Sequence, residues 1–411
     1  MKKGRYSSST IRVLVLLLFV GAASESLFGA TSHKKKTHHH HHTTSKSKVT
    51  AAKKTTAKAK LTPVVARRTF VPTPLPKQRL KTTKGPVIRG GPWLVPTYAD
   101  STLGDNVDGE DLEVRRAAVE ALGPYNGSVV AVDPNTGRIL TIVNQKLALS
   151  SGFQPCSTIK VSVALAALKE KLITDGEKRS INGMSLTYAL AHSNNSFFAS
   201  LGLKLGYDRV SRYARFLGYG EKAGLDIPGE QPGQYPAAPP KNGGVGMLTS
   251  FGEEIAQTPL QLAALMSAMA NGGTLYYLQY PRSQRDIQSF MPRVKRELEI
   301  RDLIPEVKPG MLAAVEQGTA RRARQDEPIA GKTGTCTGTT AAHLGWFGSF
   351  NDVGRNKVVV VVLLTGGRPS IGPMAAGIAG DVYSRLAKAN YFARDTQAVP
   401  SLVSSQICCS R

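Results

Sequence analysis

Apolar and polar positions follow two different periods along the chain, and the change of period separates strands from helices. Two β-rich runs cover 127–132 and 138–143, and the Asp-Pro-Asn-Thr-Gly stretch between them has hairpin-turn chemistry. Helical patterns cover 113–122, 157–172, 186–205 and 259–271. Strand-like runs return at 329–335, 344–350 and 357–364, the last two joined by a turn at 351–354, before a closing helix at about 374–388.

This order of elements predicts one mixed α/β domain. Two strands near its beginning and three near its end would meet in a single sheet, with the helical middle inserted between them. The folded body is expected to begin near Trp93, and the sequence contains no internal repeat.

The first 30 residues have the pattern of an export signal. Lys2, Lys3, Arg5 and Arg12 precede an apolar run at 13–23, which is short for a membrane span but suits a signal-peptide core. An uncleaved anchor is the alternative for residues 1–30. In both cases the body would lie outside the cytoplasm, in the periplasm or at the outer face of the cytoplasmic membrane.

The positive charge of the chain is concentrated in its first part. The formal net charge is +24, but residues 1–90 hold 20 Lys or Arg and one acidic residue, so the body is nearly balanced and is not expected to bind nucleic acid. Residues 31–90, rich in Lys, Thr, Ala and Pro, predict a disordered basic linker. Such an arm can bind an anionic membrane or wall surface, or serve as a spacer. Its histidine run at 38–42 is expected to be a solvated tract.

The four cysteines do not predict a disulfide framework. Cys408 and Cys409 are adjacent, and adjacent cysteines rarely bridge to each other. Pairing cannot be deduced from spacing and stays open. Cys156 is expected to be a small packing residue, and less so a redox-active one. The four show no metal-ligand spacing, and we predict no metal and no cofactor.

Three short motifs carry candidate chemistry, and each is weak alone. Ser-x-x-Lys and Ser-x-Asn occur three times each, whereas Lys-Thr-Gly occurs once. The copies are Ser32–Lys35, Ser45–Lys48, Ser157–Lys160, Ser180–Asn182, Ser193–Asn195, Ser349–Asn351 and Lys332–Gly334. Since the first two lie in the basic tail, the surroundings of each copy must separate function from chance.

Ser157 and Lys160 open an apolar helix. A hydroxyl at a helix start lies against unpaired backbone N–H groups and the positive end of the helix dipole. Lys160 lies on the same helix face, and apolar surroundings that lower its pKa would let it accept the serine proton. The alternative is an ordinary helix cap followed by a surface lysine.

Ser193 and Asn195 lie between helical stretches. The Ser193 hydroxyl could relay a proton to a leaving group, and the Asn195 amide could bind a substrate carbonyl. A polar junction between two helices would have the same sequence.

Residues 332–335 lie on a predicted strand. Lys332 with the hydroxyls of Thr333 and Thr335 suits a substrate carboxylate, and Gly334 would let a substrate lie against the strand edge. A strand with one exposed lysine is the alternative.

In this order, the three motifs resemble the set found in penicillin-binding proteins and related serine β-lactamases. Flanking segments resemble the transpeptidase branch of that family, and the resemblance covers roughly residues 91–390. These segments are the hairpin at 132–140, the loop at 224–230, a helix start at 258–263 with its end at 270–273, and the strands at 331–335 and 346–347. Cys156 stands where the family usually has glycine.

The resemblance implies an α+β, β-lactamase/transpeptidase-like fold, in which helices flank a five-stranded antiparallel sheet beside an all-helical lobe. It implies a serine D,D-transpeptidase in which Ser157 attacks the D-Ala–D-Ala carbonyl of peptidoglycan stem peptides and forms an acyl-enzyme. Lys160 would be the general base, Ser193 the proton relay and Lys332 the electrostatic partner of Ser193. β-Lactams would acylate Ser157 as substrate mimics.

The resemblance also implies how the substrate is held. Backbone N–H groups of Ser157 and Thr335 would form the oxyanion hole, and the Thr333 and Thr335 hydroxyls would bind the substrate carboxylate. The transpeptidase domain is expected at 91–395, with a C-terminal tail at 396–411.

Two other functions fit the same motifs. One is hydrolysis, by a D,D-carboxypeptidase or a β-lactamase, although Glu230 belongs to the loop at 224–230 and does not resemble a dedicated deacylation base. The other is a penicillin-binding sensor that is acylated without turnover.

Overall fold

An antiparallel sheet organises the folded body. The computed structural model describes residues 93–173, 180–181, 183–338, 342–351 and 356–393. The predicted signal or anchor, the basic linker with its histidine run, most of the turn at 351–354 and the tail with Cys408 and Cys409 lie outside these residues.

Helices and strands alternate in blocks along the chain. The helices are α1 (Leu112–Leu122), α2 (Gln145–Ala148), α3 (Lys160–Lys169), α4 (Leu186–Ala191), α5 (Asn195–Phe216), α6 (Gly244–Phe251), α7 (Pro259–Asn271), α8 (Gln284–Gln288), α9 (Ile304–Glu316) and α10 (Gly372–Lys388). The strands are β1 (Gly127–Val132), β2 (Ile139–Val143), β3 (Ser180–Ile181), β4 (Met184–Ser185), β5 (Thr274–Tyr276), β6 (Val294–Glu297), β7 (Ile329–Thr337), β8 (His343–Asn351) and β9 (Val359–Gly366).

The five-stranded sheet has the order β2-β1-β9-β8-β7, and every neighbouring pair is antiparallel. Strands from the two ends of the domain therefore meet where β1 pairs with β9, which confirms the predicted sheet. Two small two-stranded sheets, β3-β4 and β5-β6, accompany it.

The sheet is buried on both faces. Along β9, Val360, Val362 and Leu364 pack with α1 and α10, whereas the alternate side chains Val359 and Val361 pack into the larger core on the other face. Side chains of a strand alternate between faces, so an unbroken apolar run is the sequence of a strand covered on both sides. In the larger core, α7 lies against the sheet and α3 packs against α5.

Several elements differ from the sequence prediction. The predicted helix at 157–172 is a 3₁₀ turn, Cys156–Ile159, followed by α3. The predicted helix at 186–205 is two helices, because the chain turns at Ser193, which has a left-handed φ of 55°. The helices α6 and α9 were not predicted, since α6 is glycine-rich and α9 carries Pro309 in its interior.

Candidate active site

Ser157 and Lys160 meet at the start of α3. Ser157 lies in the 3₁₀ turn, and Lys160 is the first residue of the helix. Lys160 is fully buried, and its Nζ lies 2.9 Å from Ser157 Oγ. The alternative of a surface lysine beside a helix cap is therefore wrong for this copy of the motif.

The Lys160 amine is surrounded by acceptors. Its Nζ lies 2.6 Å from Asn195 Oδ1, 2.8 Å from the Ser193 carbonyl oxygen and 3.1 Å from Ser193 Oγ. Burial lowers the pKa of Lys160 to about 7. A neutral amine has two N–H donors and one lone pair, so donation to Asn195 and to the Ser193 carbonyl leaves the lone pair for the Ser157 hydroxyl.

The helix junction that carries Ser193 and Asn195 is stabilised by the side chain between them. Asn194 caps α5, its side chain accepting the N–H of Phe197 at 2.8 Å. The next residue, Phe198, is fully buried, with its ring centroid 5.7 Å from Lys160 Nζ. This junction supplies acceptors to Lys160 on one side and apolar surface on the other.

Lys332 brings a second buried amine to the site. It lies on β7, is fully buried, and its Nζ donates to the Thr333 carbonyl at 3.0 Å. Burial, and then the charge of Lys160, lower the pKa of Lys332 well below its ordinary value. The alternative of an exposed strand lysine is therefore wrong, while its pairing with Ser193 stays a prediction.

The hydroxyls of Thr333 and Thr335 point to neighbouring elements. Thr333 Oγ1 lies 2.6 Å from Thr319 Oγ1, and Thr335 Oγ1 accepts the backbone N–H of Gly372 at 2.8 Å. Sequence reasoning missed Thr319, which follows α9 in a Gly-Thr-Ala stretch without a repeating pattern. The assigned role of Thr333 and Thr335 in carboxylate binding stays a prediction.

Gly334 is required by a close approach within the protein. A Cβ at this position would lie 2.8 Å from the Pro155 carbonyl oxygen and 3.3 Å from Cys156 Cβ. The strand thus packs directly against the turn before Ser157. The expected space for a substrate beside Gly334 stays a prediction.

Cys156 and Cys336, which are 180 positions apart in the sequence, form a disulfide with Cα atoms 5.6 Å apart. The pairing that the sequence left open is therefore Cys156 with Cys336, and Cys156 is more than the small packing residue that was expected. Spacing gave no signal, but each cysteine adjoins a motif, and these two motifs meet at the site.

The carboxylate of Glu230 is hydrogen-bonded to the backbone near its own loop. It is buried, and its carboxylate accepts the backbone N–H groups of Ala223 at 2.8 Å and Gly224 at 3.0 Å. Burial raises the pKa of Glu230. Its bonds explain the conformation of the loop at 224–230 without any role in chemistry.

The described ranges contain neither a metal cluster nor a membrane span. No three His, Cys, Asp or Glu side chains in them are grouped so as to hold a metal ion. None of their helices combines the length and apolarity that crossing a membrane requires.

Solved structures of the same fold include two transpeptidase structures. Pseudomonas aeruginosa PBP2 in complex with WCK 5153 is 23% identical with a TM-score of 0.58, over 71% of this chain and 80% of that chain. The D,D-transpeptidase domain of a peptidoglycan glycosyltransferase from Eggerthella lenta is 19% identical with a TM-score of 0.52, over 68% and 81%. At these identities the likeness concerns the fold.

Curated relatives match at similar identity. Stage V sporulation protein D of Bacillus subtilis is 27% identical over 309 residues, which is 64% of this chain and 47% of that protein. Peptidoglycan D,D-transpeptidase MrdA of Acinetobacter baumannii is 24% identical over 291 residues, or 55% and 43%. The chain therefore spans about half the length of these two relatives.

The model of the penicillin-binding protein transpeptidase domain matches residues 127–385. Since this match covers more than half of the chain, the protein belongs to the family of penicillin-binding protein transpeptidase domains.

Proposed function

We propose that the protein is a serine D,D-transpeptidase that cross-links peptidoglycan stem peptides through an acyl-enzyme on Ser157. The observation that carries this proposal is the buried Lys160 amine, 2.9 Å from the Ser157 hydroxyl. Its pKa of about 7 makes the neutral, proton-accepting form abundant at neutral pH. Membership of the family and relatives named D,D-transpeptidases support the same reaction.

Acylation begins with proton transfer from Ser157 Oγ to the neutral Lys160 Nζ. The freed oxygen attacks the carbonyl carbon of the penultimate D-Ala and forms a C–O bond. Negative charge then develops on the carbonyl oxygen, where the backbone N–H groups of Ser157 and Thr335 stabilise it. Thr333, Thr335 and Lys332 hold the terminal carboxylate of the donor.

Collapse of the tetrahedral intermediate breaks the C–N bond. The leaving D-Ala nitrogen takes a proton from the Ser193 hydroxyl, and Ser193 recovers one from the Lys160 ammonium 3.1 Å away. The amine of a second stem peptide then attacks the ester and gives its proton to Lys160. Ser157 departs with that proton, so the site returns to its initial state. A β-lactam would follow the same acylation path, its leaving nitrogen staying tethered in the opened ring.

The bonds of Glu230 and the names of the relatives favour transfer over hydrolysis in this proposal. Hydrolysis needs a base that positions a water molecule, and the carboxylate considered for that role, Glu230, is bonded to the N–H groups of its own loop. An acceptor amine can give its proton to Lys160, which is neutral again once the first leaving group is protonated. Since the same amine could accept a proton from water, the acceptor experiment decides between transfer and hydrolysis.

The test uses a stem peptide ending in D-Ala–D-Ala, or its thioester analogue with a better leaving group, with and without an acceptor amine. We expect released D-Ala or thiol and a new amide in the presence of the acceptor. Ser157→Ala should make neither product. Hydrolysed donor alone, even at saturating acceptor, would contradict transfer and favour a carboxypeptidase, and acylation without any product would favour a sensor.

The location and the partner of the basic segment are part of this proposal. Export to the periplasm or the outer face of the cytoplasmic membrane is supported by the charged and apolar pattern of residues 1–30. The basic linker would bind anionic head groups or wall polymers, because residues 1–90 carry 20 Lys or Arg against one acidic residue.

A further inference from the structure

A disulfide joins the two segments that supply the oxyanion-hole donors. Cys156 immediately precedes Ser157, and Cys336 immediately follows Thr335. We propose that this disulfide positions the oxyanion hole by fixing the distance between the backbone N–H groups of Ser157 and Thr335. The proposal rests on the proposed acyl-serine function and adds a positioning role for Cys156 and Cys336.

The backbone at Cys156 explains why the turn needs to be held. Cys156 has a φ of 51°, in the left-handed region that glycine adopts without strain and other residues disfavour. Here a residue with a side chain occupies the left-handed conformation, and its sulfur is bonded to the opposite strand.

The turn before Ser157 is tied to the sheet at three points. Trp346 on β8 donates its indole N–H to the Gln154 carbonyl at 2.9 Å. Gly334 on β7 lies against Pro155 so closely that a Cβ would reach 2.8 Å from the carbonyl oxygen. The disulfide is the third connection and the one nearest to Ser157. Of the three, it alone is covalent.

The residue spacing of β7 places the disulfide and the buried Lys332 on one face of the strand. Alternate side chains of a strand share a face, so Lys332, Gly334 and Cys336 point to the same side. Lys332 is fully buried on this face, and Cys336 bonds to Cys156, the residue before Ser157. The turn before Ser157 therefore contacts β7 at Gly334 and is bonded to it at Cys336.

The disulfide matters because β7 lies at the edge of the sheet. β7 is the outermost strand of the five, hydrogen-bonded to β8 on one side. The turn and the edge strand carry one oxyanion-hole donor each. Without the disulfide, the relative position of the two donors depends on noncovalent contacts between separate elements. Since these donors act on the charge that develops in the transition state, loss of alignment should slow acylation rather than weaken initial binding.

Reduction provides a reversible way to remove the constraint. A dithiol reductant delivers two electrons and two protons, so the S–S bond becomes two thiols while the reductant forms its own disulfide. Cys156 is buried and Cys336 is partly exposed, so the count of free thiols after treatment establishes that the bond has been reduced. The test uses the full chain with Cys408→Ser and Cys409→Ser, so that reduction acts on this pair alone.

The experiment measures acylation by a labelled penicillin under single-turnover conditions, in oxidised, reduced and re-oxidised protein. Alkylation and mass measurement count free thiols, and circular dichroism establishes that each form is folded at the assay temperature. We expect reduction to lower the maximal acylation rate by roughly 10- to 100-fold, less than the loss of a whole oxyanion-hole donor. The dissociation constant of the noncovalent complex should stay unchanged, and re-oxidation should restore the rate.

Two double variants separate the bond from the strained backbone. Cys156→Gly with Cys336→Ser removes the bond but permits the left-handed turn, whereas Cys156→Ala with Cys336→Ser removes the bond and keeps the strain. We expect the glycine pair to acylate faster than the alanine pair and more slowly than the oxidised protein. A boronic acid that forms a tetrahedral adduct on Ser157 should lose affinity in the same order.

The outcomes distinguish this inference from the proposed function. Equal acylation rates in oxidised and reduced protein, with the thiols shown to be free, would overturn the positioning role. So would two alkylated thiols in the protein isolated without reductant. If a double variant fails to fold, the acylation rates of the reduced and re-oxidised parent chain decide whether the disulfide has the positioning role. Absence of any adduct in the oxidised parent would instead overturn the acyl-serine function itself.

Discussion

Lys160 sets the pH behaviour of the candidate site. Burial lowers its pKa to about 7, and its proton acceptance requires the neutral amine. The rate of acylation should therefore fall as the pH decreases through about 7 and reach a plateau above it. The measurement is the single-turnover acylation rate against pH. A rate independent of pH between 5 and 9, roughly the range in which this group changes charge, would contradict the role of Lys160.

The matched variant is Lys160→Arg. A guanidinium stays protonated at all these pH values, so its acylation rate should fall by about 10²- to 10⁴-fold, the usual contribution of a general base. A variant that kept both the rate and the pH profile would show that another group accepts the proton.

Thr319 is expected to act through Thr333. Their hydroxyl oxygens lie 2.6 Å apart, and loss of one such bond corresponds to about 0.5–1.5 kcal/mol. Thr319→Val should therefore raise the KM for a donor peptide by roughly 2- to 10-fold, with a smaller change in kcat, because orientation of the Thr333 hydroxyl is lost. Thr319→Ser should restore KM. Steady-state kinetics that give a normal KM for Thr319→Val would remove this role.

The residues of the site differ in how far sequence could predict them. Ser157, Lys160 and Lys332 lie in short motifs that are weak alone, and the order of the three motifs along the chain was sufficient to propose them. Thr319 and Cys336 acquire their partners only when α9, β7 and the turn before Ser157 are brought together. Such contacts depend on tertiary packing, which spacing along one sequence does not encode.

At the scale of elements, the helix α7 packs against the sheet, and a capping box stabilises its first turn. Thr258 accepts the N–H of Gln261 while the Gln261 side chain accepts the N–H of Thr258, so each satisfies a backbone donor of the first turn. Thr258→Ala should lower the free energy of unfolding by about 1 kcal/mol. Denaturant unfolding provides the measurement.

The same variant tests whether stability and chemistry are separable. Thr258 touches none of the residues assigned to catalysis in the contacts described above, so the acylation rate of Thr258→Ala should equal that of the parent chain. Thr258→Ser retains the hydroxyl and is the control for stability. Two results would contradict this role of α7. One is a Thr258→Ala protein as stable as the parent chain, and the other is a folded Thr258→Ala protein that is slow in acylation.

Elements with a continuous or regular apolar pattern were predictable, and irregular ones were not. The predicted strand at 127–132 and helix at 259–271 coincide with β1 and α7, because their burial leaves a clear pattern. The helix α9 was not predicted because Pro309 in its interior breaks the helical pattern, and α6 was not predicted because glycines disfavour helix. The left-handed φ of Ser193 divided one predicted helix into α4 and α5, and that turn is what delivers Ser193 to Lys160.

At the scale of the whole molecule, charge separates the chain into a strongly basic first part and a nearly neutral body. Residues 1–90 carry 20 Lys or Arg against one acidic residue. Deletion of 1–90 should leave the acylation rate unchanged and abolish binding to vesicles that contain anionic lipid. Binding of the full chain should weaken as salt increases, because the attraction is screened. Vesicle binding that persists after deletion, or that ignores salt, would contradict the role of this segment.

The meeting of the two domain ends in one sheet was predictable at this scale, since two strands precede the helical middle and three follow it. The disulfide across 180 positions was not, because the sequence does not state which cysteines approach each other. The disulfide bears on the precision of the site, whereas the acyl-enzyme function requires that Ser157 is the nucleophile.

The most direct test of that claim is the mass and position of a penicillin adduct. After incubation of the purified protein with a labelled penicillin, digestion and mass spectrometry should place one adduct on Ser157. Ser157→Ala should carry none, while Ser162→Ala, which changes a buried serine of α3 that bonds to Tyr219, should retain it. Absence of an adduct from the parent chain, or an adduct that survives Ser157→Ala, would contradict the account.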